Sequence, residues 1–335
     1  MEQFEIEDFG LGGNSNEAAA NGHRGMVGDG NDKGSPMDSG GHQQAAGETC
    51  GAQAHPANEG HELGLFEGIT NEDYHSGPGI SSTNVKSFRE APELYRANGA
   101  GEIPRKETDA FDFGSACHKM VLEGKDFDDE FIVTPKFDKR TNKGKAGHAE
   151  YEILAAGRTM INQVSYDHMN RMRDVLMSHP AIVDHELFIP GKGKPELSGY
   201  YTDPATGLLC KYRPDWRTEW CIADLKTAAS ASDPAFNAQC RKFGYEISVA
   251  HYIEGDSILT ETDHDQFIFA VQEKKPPYLV NVKVLGSKTL ELGKYRRRQA
   301  LSGIKDCMKT GEWPHFNSNI ATILEYPNYC FNEME

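Results

Sequence analysis

Leu208-Leu209-Cys210-Lys211-Tyr212-Arg213-Pro214-Asp215-Trp216, then Trp220-Cys221-Ile222-Ala223-Asp224-Leu225-Lys226-Thr227, sets acids and a lysine into apolar runs of strand length. Two short runs of apolar and aromatic residues flank a turn-length gap at 217–219, a pattern that predicts a pair of hairpin-linked strands. Side chains alternate along a strand, so Asp224 and Lys226 share one face while Leu225 points to the core. Asp215 closes the preceding strand, and the hairpin carries its carboxylate toward that same face. An acid and a lysine two apart on a strand usually mark a solvated face. Here Cys-Ile-Ala-Asp-Leu is an apolar strand, where a solvated face is not expected.

Two carboxylates and an amine placed this way suit phosphodiester hydrolysis. Carboxylates are the hard oxygen ligands that Mg²⁺ prefers. The metal polarises a phosphoryl oxygen and lowers the pKa of a bound water. Lys226 can orient that water and stabilise the charge that develops on phosphorus. The backbone carbonyl of Leu225 is a further candidate ligand.

Working outward, 184–190 and 196–202 read as strands before this hairpin, with 203–207 (Asp-Pro-Ala-Thr-Gly) a turn. The first run of the hairpin begins at 208 and continues to 216. Ser232 or Asp233 with Pro234 opens a helix to about 255. Strands return at 266–272 and 278–285, and a last helix covers about 288–310. Upstream, Ser81 or Ser82 caps a short helix through Phe88, and Pro92 starts another. A helix over 113–123 carries Phe113, Cys117, Met120 and Val121 on one stripe. Residues 134–148 read as a basic loop, and 165–178 as a helix with Met169, Met172, Val175 and Leu176 at helical spacing. The order predicts an α/β domain with a mixed sheet and helices on both faces.

Composition bounds the rest. The chain has 335 residues and a net charge of −16, which argues against a broadly basic nucleic-acid surface. Residues 1–60 hold ten acids against two bases and few large apolar side chains, so 1–62 is expected to be a disordered acidic tail and 63–335 the folded domain. Within the tail, Phe4, Ile6 and Phe9 form a possible docking motif, and the dispersed His23, His42, His55 and His61 are assigned no metal. Seven scattered cysteines with no C-x-x-C spacing predict reduced thiols, not a disulfide framework or a zinc site. The first residues are neither basic nor apolar, so no signal peptide is expected. Nothing approaches the ~18 apolar residues of a membrane span. The expected compartment is the cytoplasm.

Pro214-Asp215 followed by Asp224-Leu225-Lys226 resembles the PD-(D/E)xK nuclease superfamily. More narrowly, several stretches resemble the RecE-type exonuclease domain of exodeoxyribonuclease VIII. They are Gly68-Ile69-Thr70-Asn71-Glu72-Asp73-Tyr74-His75, Gly77-Pro78-Gly79-Ile80-Ser81, Phe113-Gly114-Ser115-Ala116-Cys117-His118 and Arg140-Thr141-Asn142-Lys143-Gly144-Lys145. The turn at 203–207 leading into Arg213-Pro214-Asp215, and Gly311-Glu312-Trp313-Pro314, are similar too, so the likeness spans about 65–316.

The resemblance implies a restriction-endonuclease-like core. It implies that Asp215 and Asp224 hold Mg²⁺ (with Mn²⁺ able to substitute), that Lys226 is catalytic, and that His118 joins the metal site. Glu196 matches a further acidic position. One departure stands out. Where the family places Gln-x-x-x-Tyr, this chain has Ser248 and Tyr252, with Tyr245 and Gln239 on the same expected helix as possible substitutes in substrate positioning. The resemblance further implies a ring-shaped homo-oligomer acting on double-stranded DNA ends. Degradation 5′ to 3′ would leave 3′ single strands for a RecT-type annealing protein.

DNA still needs cations. Lys136, Lys139, Arg140, Lys143 and Lys145 fall within ten residues and are the candidate phosphate contacts. Lys192, Lys194, Arg241 and Lys242 are others. Three adjacent arginines, 296–298, cannot all face DNA from one helix. The leading expectation is therefore a Mg²⁺-dependent exonuclease on linear duplex DNA. A structure- or sequence-specific endonuclease of the same fold, or a non-catalytic acidic DNA mimic or scaffold, are the alternatives.

Overall fold

The computed structural model describes residues 61–103, 113–262 and 266–326. The expected tail, with Phe4, Ile6 and Phe9, lies outside the described residues except at positions 61 and 62. Order begins at strand β1 (Gly64–Phe66), followed by helices α1 (Asn71–Ser76), α2 (Ser82–Glu90) and α3 (Pro92–Gly99). Ser81 caps α2 through a reciprocal box with Asn84, as its position predicts. Next come α4 (Phe113–Leu122), α5 (Phe127–Glu130), β2 (Phe131–Thr134), α6 (Asn142–Ala155), β3 (Thr159–Asn162), α7 (Gln163–Met177) and α8 (Pro180–Asp184). The strand-rich region holds β4 (Lys194–Pro195), β5 (Ser198–Thr202), β6 (Leu209–Tyr212), β7 (Trp216–Arg217) and β8 (Ile222–Ala228). The remainder is α9 (Asp233–Phe243), α10 (Tyr245–Thr260), β9 (Phe267–Glu273), β10 (Val280–Val284) and α11 (Ser287–Thr310).

The main sheet has five strands in the order β10-β9-β8-β7-β4. Strands β8 and β9 are parallel from Ile222↔Phe267 to Ala228↔Glu273, and the sheet's other pairs are antiparallel. Parallel neighbours need a crossover, here α9 and α10. This is the mixed, helix-flanked sheet the sequence predicts. Strand β8 is its buried spine. Ala223 and Leu225 face Leu176, Ile182, Leu187, Trp216, Ile268 and Ala270. On the other face, Ile222 and Ala228 meet Phe236, Val249, Ala250, Ile253, Phe267 and Phe269. Full burial of Leu225 or Ile222 contributes roughly 1.5–3 kcal/mol each. Asp224 and Lys226 interrupt that second face, and it is there that the fold tolerates charge. Among the described residues Cys117, Cys210, Cys221, Cys240 and Cys307 are free thiols. No described helix is long and apolar enough to cross a membrane.

Four local expectations are corrected. Residues 184–190 are not a strand. Helix α8 ends at Asp184, and Glu186 and Phe188 take positive φ of 49° and 60°. Adjacent Leu187 and Phe188 are both buried, which an alternating strand with one buried face cannot achieve and this turn can. The 208–216 run is two strands on two sheets. Strand β6 pairs with β5, in the order β1-β5-β6, while β7 pairs with β8. Pro214, which lacks a backbone donor, sits at the crossing. The helix expected to reach 255 breaks at Gly244, whose φ of 60° ends α9 and starts α10. The second half of the 134–148 loop is helical, because Thr141 accepts from Gly144 N and caps α6.

Candidate active site

The crossing from β6 to β7 is what brings the acids together. Strand β7 is only two residues long, so beyond Ala223 the β7 side of β8 has no strand partner. Asp215 occupies that gap, and its Oδ2 accepts the Leu225 N–H at 2.6 Å. In a strand the N–H and C=O of one residue point the same way. The Leu225 carbonyl therefore faces the same edge as Asp215. Asp224 and Lys226 do share a face, with Lys226 Nζ 2.5 Å from Asp224 Oδ2 and 4.0 Å from Asp215 Oδ2. His118, on α4, sets its Nδ1 3.6 Å from Asp215 Oδ2. Helix α4 is fixed by Ala116, Cys117 and Met120 packing on Phe131, Ile161, Met169 and Met172.

Glu196 arrives between β4 and β5. Its N–H donates to the Asp215 carbonyl at 3.3 Å, and its φ is 47°, a conformation that costs energy for a residue with a Cβ. Burial, then the Asp215 carboxylate, push its carboxyl up to about 8. Burial and Asp215 likewise raise Asp224 above the ordinary carboxylate range, with Lys226 and His118 pulling the other way. Burial works against the Lys226 ammonium. Asp224 and Asp215 outweigh it and hold the amine above the usual lysine range. The cluster is thus acid-rich in a desolvated place, an environment that favours a further cation.

The residues fit a hard divalent metal by donor type and by charge: three carboxylates, the Leu225 carbonyl and an imidazole. Among the described residues no three His, Cys, Asp or Glu already converge as a ready coordination shell. Lys226 stands between the two aspartates.

Helix α10 lines the lysine side. Lys226 Nζ lies 5.9 Å from the centre of the Tyr245 ring, and Gln239 donates to the Tyr245 hydroxyl at 3.1 Å. Gln239 thus supports Tyr245 and does not meet the carboxylates directly. Tyr252 is hydrogen-bonded to Ser82. Burial, then Asp224 and Asp215, raise its phenol above the usual range. Ser248 lies between the two tyrosines, and its Oγ accepts from Lys86 Nζ at 3.0 Å. Lys86 was not legible as a site residue, since on the sequence it is one polar position of an amphipathic helix.

The opening motif acts by holding the aspartate turn. Arg213 donates to Ser198 Oγ at 2.8 Å, Asn71 Oδ1 at 3.0 Å and the Ile69 carbonyl at 2.9 Å. Its guanidinium lies 4.1 Å from the centre of the Tyr74 ring. Lys211 donates to the Tyr74 and Gly77 carbonyls. Two basic residues beside Asp215 are therefore consumed by structure.

The expected phosphate contacts lie on the segment that leads from β2 into α6. Lys136, Lys139, Lys143 and Lys145 are exposed, and Arg140 pairs with Asp138 at 3.0 Å. Lys192 and Lys194 pair with Glu186 and Glu67. In the arginine triplet, Arg297 is buried and Arg296 bonds Glu246 at 2.6 Å.

Comparison with known proteins agrees with this architecture. A family model described as a PDDEXK-like domain of unknown function (DUF3799) matches residues 81–325. A Eubacterium rectale protein described as a candidate exonuclease has a similar structure, with a TM-score of 0.51 at 16% identity, over 80% of this chain and 98% of that one. No curated protein matches the chain.

Proposed function

The chain belongs to the PDDEXK-like family DUF3799, within the PD-(D/E)xK nuclease superfamily, and on that premise we propose that it is a Mg²⁺-dependent exonuclease that hydrolyses linear double-stranded DNA. The observation that carries this reading is the meeting of Asp215, Asp224, Lys226 and His118 at the open edge of β8. Asp215, Asp224 and the Leu225 carbonyl, with Glu196 and His118 beside them, would hold the metal. Bound there, it would supply a nucleophilic water and a Lewis acid for the phosphoryl oxygen. Lys226 would then orient the attacking water and stabilise the developing charge. Tyr245 keeps the lysine in place from its other side. Lys136, Lys139, Arg140, Lys143 and Lys145 would contact the DNA backbone beyond the cleaved position. Polarity is proposed as 5′ to 3′, leaving 3′ single strands for an annealing protein, with a ring-shaped homo-oligomer encircling the duplex.

The test is a pair of substrates. With Mg²⁺, end-labelled linear duplex should be degraded and a closed circle spared. Cutting of both at equal rates would replace the exonuclease with an endonuclease, and loss of neither would remove the nuclease. Retention of label on the 3′ strand would support the proposed polarity.

A further inference from the structure

Lys86 is a cation at the catalytic cluster that neither the metal nor the fold requires. It projects from α2, and its alkyl stem passes over Gly244, where an added Cβ would lie 3.4 Å from Lys86 Cδ. Its ammonium donates to Ser248 Oγ at 3.0 Å and lies within electrostatic reach of Lys226 and Asp224. Among the described residues no carboxylate lies within ion-pair distance of it. Its hydrogen-bond partner among the described residues is a hydroxyl, so this half-buried ammonium has no directly paired negative charge. Burial, then Lys226, hold its amine below the usual lysine range, against the pull of Asp224 and Glu246. The other basic residues near the acids are used differently. Arg213 and Lys211 are spent on carbonyls and polar side chains, and Lys226 is paired with Asp224.

We propose that Lys86, braced by Gly244 and Ser248, is a binding residue for a backbone phosphate of the DNA strand lying in the active site. It would hold the strand from the α2–α10 side while the metal cluster acts on it from the β8 side. The arrangement also accounts for Ser248. A short hydroxyl at that position leaves room for the lysine head and fixes it, where a longer side chain would occupy the same space. The inference rests on the nuclease reading above.

The experiment uses the full chain, Mg²⁺ and linear duplex. Lys86→Met keeps the stem over Gly244 and removes the charge. It should raise KM about tenfold or more with little change in kcat, the signature of a contact made equally in ground and transition states. Lys86→Arg keeps the charge and should retain most of the wild-type KM. Duplex binding on the inactive Asp224→Asn background provides a second readout. There Lys86→Met should make the dependence of log K on log salt shallower by about 0.9. Wild-type KM and an unchanged salt slope in Lys86→Met would overturn the inference. So would equal losses in the Met and Arg variants with a lowered Tm, which mark a structural role. If the wild-type chain neither degrades nor binds duplex DNA, the nuclease reading fails and takes this inference with it.

Discussion

Two charged clusters are buried in this domain, and they are built on opposite terms. Around Arg297 every guanidinium nitrogen has a partner: His251 Nδ1 at 3.3 Å, Tyr201 Oη and Asp203 Oδ1 at 2.9 Å each, and Glu254. His251 Nε2 meets the Ile80 and Lys211 carbonyls at 3.1 Å, so that nitrogen carries the proton and Nδ1 accepts from arginine. Burial, then Arg297, drive this imidazole down to about 3 and keep it neutral. Burial alone would raise Asp203, yet the Thr206 hydroxyl and Arg297 hold it below the ordinary range. At the edge of β8 the acids outnumber their cation, and Asp224 and Glu196 go up instead of down. The Arg297 network gives each guanidinium nitrogen an acceptor and ties helices α10 and α11 to the β5–β6 turn, although burial still raises Glu254 within it. At the edge of β8 the carboxylates share one lysine, an excess of negative charge that invites a cation. The balance of charge separates a brace from a site.

Substitutions should keep that separation. Lys226→Met is expected to reduce Mg²⁺-dependent cleavage about 10²–10³-fold, as loss of a charge-stabilising donor does. A rate within threefold of wild type would place the chemistry elsewhere. Arg297→Met should instead destabilise the fold by about 3–5 kcal/mol in urea unfolding, because it strands buried acids. Its activity per folded molecule should change little, and a catalytic loss in fully folded protein would break the comparison. Mg²⁺ should raise the Tm of the wild-type chain, by the equivalent of about 2.7 kcal/mol at a hundred times its Kd. The shift should vanish in Asp215→Asn and persist in a conservative Arg297→Lys variant. An equal shift in Asp215→Asn would place the cation away from β8.

The smallest effect concerns His251. Its folded pKa, about 3, lies below the ordinary value near 6.5, so between these pH values the unfolded chain binds the extra proton. Stability from this group is complete above about 6.5 and is lost as pH falls toward 3, by up to about 1.4 kcal/mol per pH unit. Urea midpoints at pH 7 and 5 should diverge less in His251→Gln than in the wild type. Equal divergence would remove the histidine from the network.

Legibility in the sequence followed the range of the interactions. Strand β8 declared itself because alternation and an apolar frame are local, and so did the shared face of Asp224 and Lys226. Helices α4 and α7 showed their periodicity within one or two turns. The sheet change at Pro214 was hidden, because the partner of β6 is β5 and that of β7 is β8, and hairpin chemistry does not state which sheet a strand joins. Leu187 and Phe188 looked like a strand because their apolar character is local, while the positive φ that buries both is set by tertiary packing. Gly244 read as one more residue of a long helix. Arg213 sat in a motif without showing that its partners are Asn71, Ser198 and the Ile69 carbonyl. Lys86 meets Ser248 across 162 positions, a separation no motif spans.

The acid-rich edge of β8 is proposed as a metal-dependent phosphodiester-cleaving site. Its most direct measurement is the rate of Mg²⁺-dependent degradation of end-labelled linear duplex by the full chain and by Asp224→Asn. This nearly isosteric change removes one carboxylate charge without emptying the strand. Degradation that falls at least about a hundredfold, in a variant that still melts cooperatively and still binds duplex, is the result predicted here. Degradation at the wild-type rate by the folded variant would contradict it.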